Sequence, residues 1–206
     1  MNDSRLYLIL DKATCASLDL KDLLEKAIKG GVDLVQYRDK ASSTKEMIEE
    51  SIPLLKTAQK ARVPFIINDR LDVAVSINAD GLHLGQEDMP VETARKILGK
   101  GKILGLSCHT LAEIKKAQKQ DVDYLGFGPI FRTATKPESK PKGRLAYAQA
   151  LKAAHKPVFA IGGVTKTNLN SLSRTAPLRI AVCREICLSK HPQKTAGELK
   201  NKIKNV

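Results

Sequence analysis

FIINDRLDVAVSINADGLHLGQED, residues 65–88, reads as strand, turn, short helix, strand and turn. Phe65-Ile66-Ile67 is a short apolar run after Pro64, and proline is tolerated at the first residue of a strand. Asn68-Asp69 follows at once. Leu71, Val75 and Ile77 give an irregular apolar helix, Gly81-Leu82-His83-Leu84 gives the next strand, and Gly85-Gln86-Glu87-Asp88 leaves it. If the two strands are parallel neighbours, Asp69 and Asp88 emerge from the same end of the sheet on adjacent loops. Two carboxylates beside an Asn and a Gln form an oxygen-rich site suited to Mg²⁺, which takes few protein ligands and keeps room for substrate phosphates. Both aspartates also suit helix caps. That reading is as good for Asp69; it is weaker for Asp88, because Pro90 favours the first helical position and makes Met89 the cap.

The same alternation extends in both directions. Apolar runs at 6–10, 32–37, 103–106, 124–127, 158–161 and 180–182 read as further strands. Helices are expected over 18–29, around Met47 to Ala58, and over 90–98, 111–119, 145–154, 166–173 and 195–203. Eight strands alternating with eight helices, without a linker or composition break, predict a single-domain α/β fold over 1–206, a (β/α)8 TIM barrel. A weak repeat agrees: Asp33, Asp80 and Asp123 each stand just before a strand. Those positions fall at the bottom of the barrel and read as structural.

Composition narrows the function. Hydrophobic residues make up 42% and aromatics 4%, with no Trp, so the core is aliphatic. No run of 18 apolar residues suggests a membrane span, and the first residues, MNDSRLYLIL, are too short and acidic for a signal peptide. A cytoplasmic protein is expected, with homo-oligomerisation left open. Cys15, Cys108, Cys183 and Cys187 show no metal-ligand spacing and read as reduced and structural. A metal held by His83, Cys108 and His109 is the lesser reading; His83 fits better as a hydrogen-bonded residue at a strand end. The net charge is +13. Its basic residues gather in the last helix and in one loop carrying Arg132, Lys136, Lys140, Lys142 and Arg144. No nucleic-acid motif accompanies them, so nucleic acid is not the expected partner. The helix reads as a solvated face, and the loop cations suit small anionic substrates.

In a barrel of this kind, chemistry sits at the C-terminal ends of the strands. Collecting those ends gives Gln36, Arg38 and Lys40 after the second strand, Asn68 and Asp69 after the third, and Asp88 after the fourth. Ser107 follows the fifth strand. Thr133, Thr135 and Lys136 follow the sixth, and Gly162-Gly163 follow the seventh. A glycine turn before a helix after the seventh strand is the usual phosphate site of the fold. Each residue alone has an ordinary surface explanation; their shared rim is what argues for a site.

These residues resemble those of the thiamine-phosphate synthase family over nearly the whole chain. The matching stretches are Gln36-Tyr37-Arg38-Asp39-Lys40, Asn68-Asp69, residues 81–88 (GLHLGQED), Gly105-Leu106-Ser107, residues 128–136 (GPIFRTATK) and Ile161-Gly162-Gly163-Val164. The resemblance implies a Mg²⁺-dependent transferase. A hydroxymethylpyrimidine diphosphate loses pyrophosphate, and the nitrogen of a thiazole phosphate, or of its carboxylated tautomer, takes its place. Carried over by residue, Gln36, Tyr37, Arg38, Asp39, Lys40, Asn68, Ser107 and Lys136 would hold the pyrimidine diphosphate. Lys136, Arg38 and Ser107 would be catalytic, and Asp69 and Asp88 would hold Mg²⁺. Thr133, Ala134, Thr135, Gly163, Cys183 and Arg184 would hold the thiazole phosphate. Two departures stand out. Asp39 replaces the family's usual Glu, and the run into the eighth strand, residues 175–184 (TAPLRIAVCR), lacks the family's glycines and ends in Cys183-Arg184 rather than Val-Ser. The related thiazole tautomerase and a non-catalytic phosphate-binding paralogue are the alternatives. The diphosphate-side residues argue against the tautomerase.

Overall fold

The computed structural model describes residues 4–135, 138–172 and 177–204. Eight parallel strands close into a barrel in chain order: β1 (Leu6–Asp11), β2 (Leu34–Arg38), β3 (Phe65–Asn68), β4 (Gly81–Leu84), β5 (Ile103–Cys108), β6 (Tyr124–Phe127), β7 (Val158–Ile161) and β8 (Ile180–Val182). β8 pairs back to β1, Leu6 opposite Ile180. The helices between them are α1 (Leu20–Lys29), α2 (Thr44–Lys60), α3 (Leu71–Ser76), α4 (Val91–Leu98), α5 (Leu111–Ala117) and α6 (Gly143–Ala153), with α7 (Arg184–Cys187) and α8 (Pro192–Lys204) after β8. The barrel and its strand order are those expected from the sequence.

Strand period sorts the side chains into two cores. One set, including Leu8, Leu10, Val35, Phe65, Ile67, Leu82 and Leu125, packs outward against the helices. The other, Tyr7, Ile9, Leu34, Ile66, Tyr124, Phe159 and Ala181, fills the barrel interior. This parity decides what reaches the mouth. Gln36 shares the inward side with Leu34, whereas Tyr37 belongs to the outward core and is fully buried there.

The bottom is closed by the three repeated aspartates. Asp33 accepts the backbone N–H groups of Arg5 and Leu6, both at 2.9 Å. Asp80 accepts that of Phe65 at 2.9 Å, and Asp123 that of Leu104 at 2.7 Å. Each ties the start of one strand to the connection entering the next, satisfying N–H groups that begin the ladder.

Several local expectations are corrected. The residues after β7 do not form a helix over 166–173; a 3-10 turn, Leu169–Ser171, stands there, and 173 lies outside the described residues. Side chains explain this. Asn168 Oδ1 accepts the Thr165 N–H at 2.9 Å, and the Thr165 hydroxyl accepts the Asn168 N–H at 3.3 Å. Such local bonds compete with helix propagation. Pro90, rather than Met89, takes the position before α4, with no side-chain cap. β5 runs on to Cys108, so Ser107 lies within a strand. α7 is an additional turn that begins at Arg184.

Candidate active site at the barrel mouth

A cavity of about 670 Å³ opens at the C-terminal ends of the strands. One half is lined by Gln36, Arg38, Asn68, His83 and Ser107. The other is lined by Thr133, Ala134, Thr135, Gly163, Cys183 and Arg184. Ten residues expected from the sequence to bind substrate therefore share one cavity: Gln36, Arg38, Asn68 and Ser107 with those six.

Of the remaining expected residues, Tyr37, Asp39, Lys40, Asp69 and Asp88 do not line it. Tyr37 faces the helices; its hydroxyl donates to Glu50 and lies 3.2 Å from the Asp39 carboxylate. Asp39 is buried under the following loop, where its carboxylate accepts the N–H groups of Ala41 at 2.9 Å and Ser42 at 3.1 Å, with the Lys12 ammonium 3.6 Å away. Burial alone would raise the Asp39 pKa. The Ser42 hydroxyl, these two N–H groups and Lys12 outweigh it and hold the carboxyl down at about 2. Neither residue lines the cavity, and both instead support the strand end that aims Gln36 and Arg38. Arg38 is itself paired with the buried Asp11. Lys136 lies outside the described residues.

Asp69 and Asp88 stand on adjacent loops after β3 and β4, as the parallel arrangement requires, and close enough for their carboxyl groups to hydrogen-bond. Lys40 pairs with Asp69. Neither aspartate caps a helix: α3 has no side-chain cap, and Asp88 accepts the Gly85 N–H at 2.7 Å. Asp69 adopts φ +59°, a left-handed conformation rare for a residue with a side chain. Its N–H donates to the His83 carbonyl at 2.8 Å, which fixes that geometry. Burial, then the neighbouring Asp88, push the Asp69 carboxyl up. Asp88 is also penalised by burial, but the bonds from Asp69 and Gly85 hold it down. Two carboxyls this close disfavour carrying two negative charges side by side. Such a pair fits a hard divalent cation, whose charge would offset that repulsion. Among the described residues no group of three or more His, Cys, Asp or Glu could hold a metal.

The turn after β7 differs in construction from the helix N-terminus expected there. Gly162 (φ +89°) and Gly163 (φ +65°) turn the chain tightly there. A side chain at Gly163 would meet Phe131 Cβ at 2.9 Å and overlap the Arg132 carbonyl oxygen. The Gly163 carbonyl accepts the Asn168 side-chain N–H at 2.8 Å. Cys183 and Arg184 complete the cavity wall beside these glycines. The four cysteines are all free; Cys108 is buried, and His109 Nδ1 lies 2.7 Å from the Gly128 carbonyl.

Sequence reasoning expected His83 as a hydrogen-bonded residue at a strand end, but missed the two tyrosines that form the floor of the site with it. Tyr7 and Tyr124 are buried inside the barrel, their hydroxyls 2.7 Å apart. Gln36 Nε2 donates to Tyr7 at 2.6 Å. His83 lies 2.9 Å from the Tyr124 hydroxyl through Nδ1 and 2.9 Å from the Ser107 hydroxyl through Nε2. The available signal was strand parity, since Tyr7, His83 and Tyr124 all stand at inward positions of their strands.

Comparison with known proteins agrees with this geometry. A family model described as thiamine monophosphate synthase matches residues 6–186. A thiamine-phosphate synthase of Persephonella marina is 39% identical over 203 residues, covering 98% of this chain and 97% of the relative. A thiamine-phosphate synthase of Synechococcus sp. (strain CC9605) is 46% identical over 164 residues, 80% of this chain but only 47% of that longer protein. Among solved structures, the thiamine phosphate pyrophosphorylase of Pyrococcus furiosus superposes with a TM-score of 0.90 at 31% identity, covering 99% of this chain and 97% of that one. With the family model spanning nearly all of the barrel and relatives matching it almost end to end, the chain belongs to the thiamine monophosphate synthase family.

Proposed function

We propose that the cavity joins a hydroxymethylpyrimidine diphosphate to a thiazole phosphate, releasing pyrophosphate and thiamine phosphate. The observation that carries this reading is the one cavity that Gln36, Arg38, Asn68 and Ser107 share with Thr133, Thr135, Gly163 and Arg184, with the carboxylate pair on the loops after β3 and β4. Gln36, Asn68 and Ser107 offer directional hydrogen bonds that suit a flat heteroaromatic ring. Arg38 offers a planar fork for phosphate oxygens, oriented by Asp11. Thr133, Thr135 and the backbone at Gly163 suit the second substrate's phosphate.

The step is a substitution at carbon. The carbon–oxygen bond to the diphosphate breaks as the pyrimidine methylene becomes cationic, and the thiazole nitrogen then forms the new bond. No nucleophilic side chain is required. The residues of the chain work by holding the two substrates in line and by meeting charge that grows on the departing oxygen. Mg²⁺, bound through Asp69 and Asp88, would neutralise diphosphate charge and ease its departure. Lys136, which follows β6 in the sequence, is proposed to add a cation there. The test is to mix the protein with both substrates and Mg²⁺ and to look by mass for thiamine phosphate. No product, with both substrates intact, contradicts the reading.

A further inference from the structure

The hydrogen-bonded residues beneath the cavity form one continuous line, Gln36–Tyr7–Tyr124–His83–Ser107, with links of 2.6, 2.7, 2.9 and 2.9 Å. It crosses the barrel from β2 through β1, β6 and β4 to β5, and both ends, Gln36 and Ser107, line the cavity. We propose that this line has a single direction, that it holds His83 as the Nε2–H tautomer, and that it thereby sets Ser107 as a hydrogen-bond donor and Gln36 as an acceptor toward the substrate. Tyr7, Tyr124 and His83 are positioning residues in this scheme. The proposal deepens the pyrimidine-binding reading above and rests on it for the substrate's identity.

The direction follows from counting protons. An amide nitrogen can only donate, so Gln36 Nε2 gives its hydrogen to the Tyr7 oxygen. Tyr7 has one hydroxyl hydrogen, and its neighbour in the line is the Tyr124 oxygen. Tyr124 likewise has one hydrogen, and the Nδ1 of His83 receives it. A neutral imidazole that accepts at Nδ1 carries its proton on Nε2. That proton goes to the Ser107 oxygen, and the Ser107 hydrogen is left to point into the cavity. At the other end the Gln36 amide oxygen remains an acceptor. The two ends stand across the barrel from each other. An aminopyrimidine carries an amine donor on one edge and a ring-nitrogen acceptor on the opposite edge, which is the complementary pattern.

The packing keeps the line intact. Tyr7, Tyr124 and Phe159 meet edge to face, with ring centroids 5.7, 5.3 and 5.5 Å apart, so neither phenol ring can swing away. Gly105 on β5 makes the space. A Cβ there would stand 2.5 Å from His83 Nδ1 and overlap the Tyr124 ring, so only glycine lets this pair meet. Burial adds the penalty for error. Both tyrosine hydroxyls lie in fully or almost fully buried residues, where an unpaired polar group is costly, so a reversed link at one point would force reversal along the whole line. Reversal would turn Ser107 into an acceptor and mispair the ring nitrogen.

The tautomer is directly measurable. The protein has four histidines, so ¹⁵N-histidine NMR of the ligand-free enzyme, with His83 assigned by its loss in His83→Gln, reads the two nitrogens separately. The expected result is a protonated Nε2 and an unprotonated, hydrogen-bonded Nδ1. Tyr124→Phe should then shift the Nδ1 resonance. It should raise KM for the pyrimidine diphosphate about tenfold, with a smaller change in kcat and none in KM for the thiazole phosphate. Tyr7→Phe, one link further away, should act in the same sense. A wild-type His83 protonated on Nδ1, or on both nitrogens, overturns the proposal. So does a folded Tyr124→Phe whose tautomer and KM match wild type. Should either phenylalanine variant fail to fold, the wild-type spectrum decides alone. Because that spectrum needs no substrate, failure of the wild-type protein to make thiamine phosphate would refute the reaction without touching the tautomer result.

Discussion

Asp39 shows how a residue expected in the binding site can act behind it. Its carboxylate is spent on the loop N–H groups of Ala41 and Ser42, and its pKa sits near 2 against an ordinary 3.8. A depressed carboxyl stabilises the fold above the unfolded value, and that stability is lost as pH falls toward the folded one. Asp39→Asn should therefore cost about 2 kcal/mol at pH 7 and about half of that at pH 3. Urea unfolding at the two pH values checks this, and a gap that does not narrow in acid would contradict it. Arg184 lies at the opposite extreme. It is exposed on the cavity wall, and among the described contacts no hydrogen bond or ion pair holds its side chain. Glu185, its sequence neighbour, is taken by the Lys166 N–H at 2.9 Å instead. A guanidinium so placed suits phosphate. Arg184→Ser should raise KM for the thiazole phosphate by about tenfold, since charge-assisted bonds are worth roughly 1.5–3 kcal/mol. An unchanged KM would put Arg184 outside the site, and a gain in activity would mean that it obstructs the cup.

Among the elements, the turn after β7 carries the clearest constraint. Gly163 combines φ +65° with no room for a Cβ beside Phe131 and Arg132. Gly163→Ala must strain the backbone and push the loop after β6 away, at a cost of about 1–3 kcal/mol. Its melting temperature should fall and its KM for the thiazole phosphate should rise, while KM for the pyrimidine diphosphate moves little. A melt and kinetics identical to wild type would remove this turn from the phosphate cup. At the barrel's other end, Asp80 holds the Phe65 N–H and touches nothing in the cavity. Asp80→Ala should lower stability by about 1–3 kcal/mol, the usual cost of orphaning a buried donor, and leave both KM values unchanged.

For the whole molecule, closure of the barrel is what brings the substrates together. Residues in or just after all eight strands meet around one cavity, and the two carboxylates come side by side only because β3 and β4 are parallel neighbours. Activity should accordingly vanish in excess EDTA and return with Mg²⁺. Asp69→Ala and Asp88→Ala should each lower kcat by roughly hundredfold or more, the scale of losing one charge-stabilising group at a reacting centre. Circular dichroism should show both variants folded. Full turnover in EDTA would refute the metal's role.

The sequence by itself determined the barrel. Alternating apolar runs, short connections and the aspartates before β2, β4 and β6 are local signals, and closure follows from them with little help from elsewhere. It also determined most of the rim, because inward parity places Gln36 and Arg38 together once the strand is known. Tertiary structure decided three other things. It turned Tyr37 and Asp39 away, since the outward side of β2 packs on helices. It replaced a helix after β7 by a side-chain-bonded turn, since Thr165 and Asn168 bond to each other before a helix can start. And it joined Tyr7, Tyr124 and His83, residues as far apart as 117 positions, into one line under the cavity. No local pattern encodes that line, because each link is a hydrogen bond between strands, and its geometry exists only after the barrel has closed.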